Sequence, residues 1–314
     1  MGEWQLAAPV AFIIFNRPDT TARVFAEIAK VKPTKLLVVA DGPRPSRSEE
    51  GDRCAAARAV IGQVNWDCEL ITNYSDTNMG CRHRVSSGLD WIFKTVEEAI
   101  ILEDDCLPHP TFFRFCDELL EKYRNDERIM AVSGNNFQGG RKRTHYSYYF
   151  SRYNHLWGWA TWRRAWHCYD VDMKLWPEIK TQNRLKDILD DSDAVKYWLD
   201  KFQMIHEGRE RRADTWDYQW TFACWLQSGL TILPNVNLVS NIGFNASATH
   251  TLNKWSRAAN LPVEAIHFPL KHPPYMVRHA QADAFTHKVL FKSNIITRNI
   301  KRLAKEFLMG NQCL

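Results

Sequence analysis

The strongest constraint on the fold is a repeated alternation of short apolar runs with segments of helical period between residues 10 and 134. VAFIIF (10–15) precedes DTTARVFAEIAKV, whose Val24, Phe25, Ile28 and Val31 fall on one helical face. KLLVVAD (35–41) reads as a second strand, followed by a helix near 52–63, the strand CELIT, a helix over 81–96 and the strand AIIL. The 81–96 helix is marked by Val85, Leu89, Ile92, Phe93 and Val96. Phe112, Phe115, Cys116, Leu119, Leu120 and Tyr123 mark a further helix, and IMAVSG a further strand. Uniformly apolar strands separated by helices pair in parallel, because both faces of the sheet must be covered. The expectation is an α/β fold. With 314 residues, 45% of them apolar, the chain can bury a core of that kind.

From about residue 146 the alternation is lost, and nine of the thirteen tryptophans lie between Trp157 and Trp225. Helices are expected over 184–204 and 214–228, with TILP and NLVSNIGF as short strands. Most of the tryptophans should be core, with Trp157 or Trp159 the exceptions. Neither a repeat nor a long linker separates the halves. We therefore expect one domain over 1–285, with a ligand-binding half (8–135) and an acceptor half (136–285) of short strands and helices, then a tail over 286–314.

From Lys288 onward there are six Lys/Arg and one acid, against a net charge of +5 for the whole chain. The body is therefore neutral, which argues against a nucleic-acid-binding surface. In the tail, Ile296, Ile300, Leu303 and Phe307 follow helical spacing with basic residues between them. That suits a helix lying on an anionic membrane, and equally one docked on the protein's own body. The eight cysteines form no C-x-x-C pair and point to a reducing compartment. AAPVAFIIF is too short to span a bilayer and lacks the flanks of a signal peptide, and Leu6 breaks a myristoylation signal, so a cytoplasmic protein is expected.

One stretch carries chemistry on its face. AIIL runs directly into Glu103, Asp104 and Asp105. On an extended strand Glu103 and Asp105 share one side and Asp104 takes the other. Carboxylates that close repel one another unless a cation or a set of donors compensates. In an open parallel sheet ligands bind beyond the carboxyl ends of the strands. A hard ion, Mn²⁺ or Mg²⁺, held by one or two of these carboxylates and by substrate phosphates fits that position. The bland alternative is a solvated strand end, or acids capping the helix near Thr111. The other strand-end residues are Asn16 and Arg17 after the first strand and Asp41 after the second. No G-x-G-x-x-G or Walker loop follows any of them.

The segment NMGCRHRVSSGLDWIFKTVEEAIILEDDCLPHPTFFRF resembles the nucleotide-sugar half of GT-A glycosyltransferases. It looks closest to the inverting branch of N-acetylglucosaminyltransferase I and to bacterial family 2-like enzymes. The resemblance spans roughly 8–255 through FIIFNRP, VVADG, GWATW, TWDYQW and NIGFNASATHT, and is strongest over 76–135. It implies a GT-A (Rossmann-like) sheet with Asp105 on the metal and Glu103 and Asp104 nearer the ribose and sugar. Asp41 would meet the base, with Asn16 and Arg17 lining the nucleotide pocket. Family spacing puts Arg84 on the diphosphate, with Arg82 and His83 as alternatives. Asp41 could instead be a turn residue before Gly42, and Arg17 a surface residue before Pro18.

Inverting transfer needs a base for the acceptor hydroxyl. By the resemblance Asp217 of TWDYQW fills that role; the alternative has Asp214 as a helix N-cap and Asp217 as a stabilising acid at N3. His250 would complete the metal or diphosphate site, and Gly158 would lie in the acceptor loop. The implied activity is a metal-dependent, inverting hexosyltransferase that takes a nucleotide sugar, a UDP-sugar by the resemblance, to a glycan or glycolipid. The rivals are a metal-dependent nucleotidyltransferase, which normally carries a glycine-rich phosphate loop, and a non-catalytic carbohydrate-binding protein.

Overall fold

The computed structural model describes residues 4–208, 214–243 and 260–292. Strands β1 (Val10–Ile14), β2 (Lys35–Ala40), β3 (Glu69–Tyr74) and β4 (Glu98–Glu103) pair in parallel in the spatial order β3-β2-β1-β4. Helices α1 (Pro18–Val31), α2 (Glu50–Ile61) and α3 (Gly80–Thr95) make the crossovers. Strand alternation sends Val10, Phe12 and Ile14 into one hydrophobic layer, together with Val24, Phe25 and Ile28 of α1. Ala11 and Ile13 enter the opposite layer with Val85, Leu89 and Ile92 of α3. Burial on both faces is why these strands read as continuous apolar runs.

Beyond β4 the sheet is mixed. The chain passes through β5 (Cys106–Pro108), α4 (Thr111–Lys122), β6 (Ile129–Ser133), β7 (Tyr148–Ser151) and β8 (Trp159–Trp162). It is β8, not β6, that lies beside β4, antiparallel, with Ile100 opposite Ala160. Strand β6 pairs on its far side with β9 (Leu230–Pro234), and β7 closes that edge antiparallel to β9, completing eight strands in the order β3-β2-β1-β4-β8-β6-β9-β7. Strand β10 (Val239–Asn241) pairs separately with β5. The outcome is an α/β, mostly parallel sheet flanked by helices, a Rossmann-like, GT-A-type architecture.

Short helices α5 (Arg163–Trp166), α6 (Trp176–Thr181) and α7 (Leu185–Ile188), then α8 (Ser192–His206), α9 (Asp217–Leu226) and α10 (Ala280–Thr286), supply the remaining cover. The continuous helix expected over 184–204 is broken at Leu189, which is extended, and α8 restarts where the Asp191 carboxylate accepts from Ala194 N at 2.9 Å. Trp159, expected as an exception, is fully buried between Trp216 and Trp220, with ring centroids at 5.6 and 5.8 Å. Trp157 is only partly buried, edge-on to Phe137. Among the described residues no helix is long and apolar enough to cross a membrane. The basic tail lies outside the described residues from 293 onward.

Gly158 enters β8 at φ +72°, and a Cβ there would lie 2.7 Å from a methyl of Val239. Gly158→Ala is therefore expected to lower stability by about 1–3 kcal/mol through strain and overlap together, as measured by chemical denaturation.

Candidate active site

The acids stand where the carboxyl ends of β1, β2 and β4 come side by side. The chain turns at Asp104–Asp105 instead of continuing as a strand, so the expected alternation does not hold. Asp104 and Asp105 face the same guanidinium: Arg17 Nη1 is 3.3 Å from Asp104 Oδ1 and 2.6 Å from Asp105 Oδ2. Asp104 Oδ2 also accepts from Phe15 N at 3.0 Å. Asp105 Oδ1 accepts from Asn241 Nδ2 at 3.3 Å, while its carbonyl accepts from Ile242 N at 2.8 Å. The β5–β10 pairing brings that strand end over Asp105, and Gly243 packs so close that a Cβ would sit 2.2 Å from Asp105 Oδ2.

The Glu103 carboxylate accepts no hydrogen bond among the described residues. Burial, then the charges of Asp105, Asp104 and Asp217, push its pKa up to about 8. Burial pushes Asp104 up to about 7, against the pull of Arg17. Fully ionised, the strand end would carry more negative charge than its protein partners neutralise, which is why protons are held there.

Asp217 is the first residue of α9 and accepts from the Thr215 hydroxyl. Asp214 does not cap that helix. Its carboxylate reaches the start of α3, accepting from Arg82 N at 2.8 Å and Cys81 N at 3.2 Å. The Cys81 thiol, pushed well up by burial, lies within electrostatic reach of Glu103, Asp214, Asp217 and Asp41. Asp214 and Asp41 therefore both hold the start of α3, one at the Cys81 and Arg82 amides and the other at the Met79 amide.

Other expected residues are engaged in holding the loops. Asp41 is buried and accepts from Gly42 N, Met79 N and Asn78 Nδ2, each at 2.9 Å, which is the turn role left open beside base recognition. Arg84, expected at the diphosphate, is buried and donates to the Ala40 carbonyl at 3.2 Å and to the Asn73 carbonyl and side chain at 2.5 and 2.9 Å. It ties the ends of β2 and β3 together. Arg82 donates to the Val171 carbonyl at 2.6 Å, and His83 is exposed. Asn16 donates to Glu50 at 2.9 Å, in a buried network where Arg44 pairs with Glu50 and lies over the Phe15 ring. The cation that meets the acids is thus Arg17 and none of the CRHR residues. Glu50 and Arg44 were missed because nothing in the local sequence marks Glu50 as the partner of Asn16, 34 residues away, and Asp214, expected to cap the helix that follows it, serves α3 instead.

Among the described residues no three His, Cys, Asp or Glu side chains form a ready metal-binding group, so the three carboxylates are not a preformed cage. His250 lies outside the described residues. The donor chemistry nevertheless suits a hard divalent ion that takes most ligands from substrate and water: carboxylate oxygens at the strand end, with Glu103 only partly compensated by Arg17. Asp105 and Glu103 would hold it, and Arg17 is the cation it must compete with. Two surface clefts, of about 480 and 340 Å³, lie elsewhere, at the amino ends of the strands and beside β7.

No family model matches the chain, and no curated protein matches it. Solved structures that superpose on parts of it include a UDP-glucose pyrophosphorylase in complex with UDP-glucose, at 12% identity and a TM-score of 0.25. That match covers 47% of this chain and 64% of the other, less than two thirds of that structure's length. An inositol-1-phosphate CTP transferase from T. maritima follows at 9% identity and TM-score 0.29, covering 52% of this chain and 74% of that one. A 4-diphosphocytidyl-2C-methyl-D-erythritol synthase from Anaerococcus prevotii gives 12% and 0.27, covering 50% and 72%. Superposition at this level carries no argument about chemistry.

Proposed function

We propose that the chain is a divalent-metal-dependent transferase that handles a nucleotide-linked sugar at the carboxyl edge of its sheet. The observation that supports this most directly is the pairing of Asp104 and Asp105 with one guanidinium nitrogen of Arg17 at the end of β4, beside a Glu103 carboxylate that accepts no hydrogen bond among the described residues. With all three acids ionised the strand end would lack positive charge, and a divalent ion arriving with a nucleoside diphosphate would supply it.

In the finer reading the reaction is inverting glycosyl transfer to a glycan or glycolipid. A bound Mn²⁺ or Mg²⁺ would offset the charge on the leaving diphosphate. Asp105 and Glu103 orient that end of the donor, Arg17 offers a fixed positive charge, and Asp217 takes the proton of the attacking hydroxyl. Nucleotidyl transfer is the second reading, and it is the chemistry to which the names of the superposed structures point. Against it stands the sequence after β1, where Phe15, Asn16 and Arg17 lead into α1 at Pro18 with no glycine-rich loop.

One assay separates the two. The protein is incubated with Mn²⁺ and a panel of UDP-sugars, with and without glycan acceptors, and in parallel with UTP and sugar 1-phosphates. Release of UDP from a UDP-sugar is the expected result. Pyrophosphate release from UTP and a sugar 1-phosphate would establish nucleotidyl transfer instead. Binding of glycans with neither product would leave a carbohydrate-binding protein.

A further inference from the structure

Arg17 stands at the junction of β1 and α1, with a side chain only 13% exposed. Its Nη1 alone contacts Asp104 and Asp105, while Nε and Nη2 carry no hydrogen bond among the described residues. The guanidinium fork is thus half engaged. One nitrogen neutralises two carboxylates, and the other half keeps the planar donor pair that matches two oxygens of a phosphate. Asp105 is closed in from the other side by Asn241 and Gly243, so the approach to its Oδ2 is the one Arg17 occupies.

A free divalent ion meets two obstacles there. It must displace a 2.6 Å charge-assisted hydrogen bond, and it must approach a fixed positive charge. An ion arriving with a diphosphate meets neither to the same degree, since the phosphates offer the guanidinium other acceptors.

We propose that Arg17 is an exchange residue: it holds Asp104 and Asp105 in the free protein and passes to the diphosphate as the divalent ion takes those carboxylates. Metal and nucleotide then bind as a unit, each raising the affinity for the other by the same factor. The inference rests on the metal-and-nucleotide reading above and adds an order to it. The site stays closed to metal until a diphosphate is present.

The test is calorimetric titration of the full chain with Mn²⁺ alone, with UDP alone, and with Mn²⁺ in saturating UDP, for wild type, Arg17→Ala and Arg17→Gln. Arg17→Gln keeps a hydrogen-bond donor near the two acids and guards against a folding defect in the alanine variant; both are checked by circular dichroism. For the wild type, UDP is expected to raise Mn²⁺ affinity at least about tenfold. In the variants Mn²⁺ alone should bind about tenfold or more tighter than in the wild type, and the coupling with UDP should largely vanish. Unchanged or weaker binding of Mn²⁺ alone in both variants overturns the exchange while leaving the metal-and-nucleotide reading intact. Absence of Mn²⁺ binding in every titration, with or without UDP, overturns both.

Discussion

Asp217→Asn is expected to lower turnover by about two to four orders of magnitude while leaving UDP affinity in the presence of Mn²⁺ unchanged. The reason lies in the two environments this carboxylate joins. It is the first residue of α9, where an acid favours the helix dipole, and it also lies close enough to Glu103 to raise that group's pKa. The first role is structural and small. An acid in an exposed first helical turn stabilises by about 0.3–1 kcal/mol, and asparagine retains the oxygen that accepts from Thr215. A purely structural Asp217 would therefore give a variant of nearly unchanged turnover and slightly reduced melting temperature. The base gives the reverse, a folded variant that binds donor and does not transfer. Turnover within about tenfold of the wild type would remove Asp217 from the mechanism.

The contrast between Asp217 and its neighbour Asp214 also marks where sequence reasoning stops. Strands β1, β2 and β4 were legible as continuous apolar runs because both their faces are buried, and helices such as α1, α3 and α4 because each buries one face and so writes a period into the sequence. Strands β7 and β8 were not. Tyr148–Ser151 and Trp159–Trp162 are only four residues long and mix aromatic with polar residues, so they show neither an alternation nor an aliphatic run.

The acids after β4 were legible as a charge that apolar context could not explain, but their partner was not. Arg17 and Asp105 are 88 residues apart, and their meeting depends on the turn at Asp104–Asp105, which no periodicity encodes. Asp214 carries the residue type of an N-cap, and it does cap a helix. That helix is α3, whose Arg82 N lies 132 residues away, because the tertiary fold and not the local chain supplies the amides. Arg84 failed in the opposite sense: it has the charge a diphosphate needs, but its side chain lies between the ends of β2 and β3, where the Ala40 and Asn73 carbonyls claim it.

A pH dependence of stability follows from the same crowding of acids. Glu103 has a pKa of about 8 in the folded chain against 4.5 as an ordinary glutamate, and Asp104 about 7 against 3.8. Between about pH 4.5 and 8 the folded protein therefore holds protons that the unfolded chain has released. Stability is greatest at the acid side of this window and falls as pH rises through it, the reverse of a carboxylate stabilised by a salt bridge. Glu103→Gln keeps the shape and removes the ionisation. It should flatten the slope of unfolding free energy against pH and, near pH 8, stabilise the metal-free protein by about 1–3 kcal/mol. Urea denaturation of wild type and variant across pH 5.5–8.5, without divalent ions, measures the difference. The wild-type slope should also shrink when Mn²⁺ and UDP are both present, because a bound cation supplies the compensation that Glu103 lacks. Parallel pH profiles for wild type and Glu103→Gln would mean that Glu103 is already neutralised within the fold. The strand end would then have no need of an ion, and the functional reading would lose its physical basis.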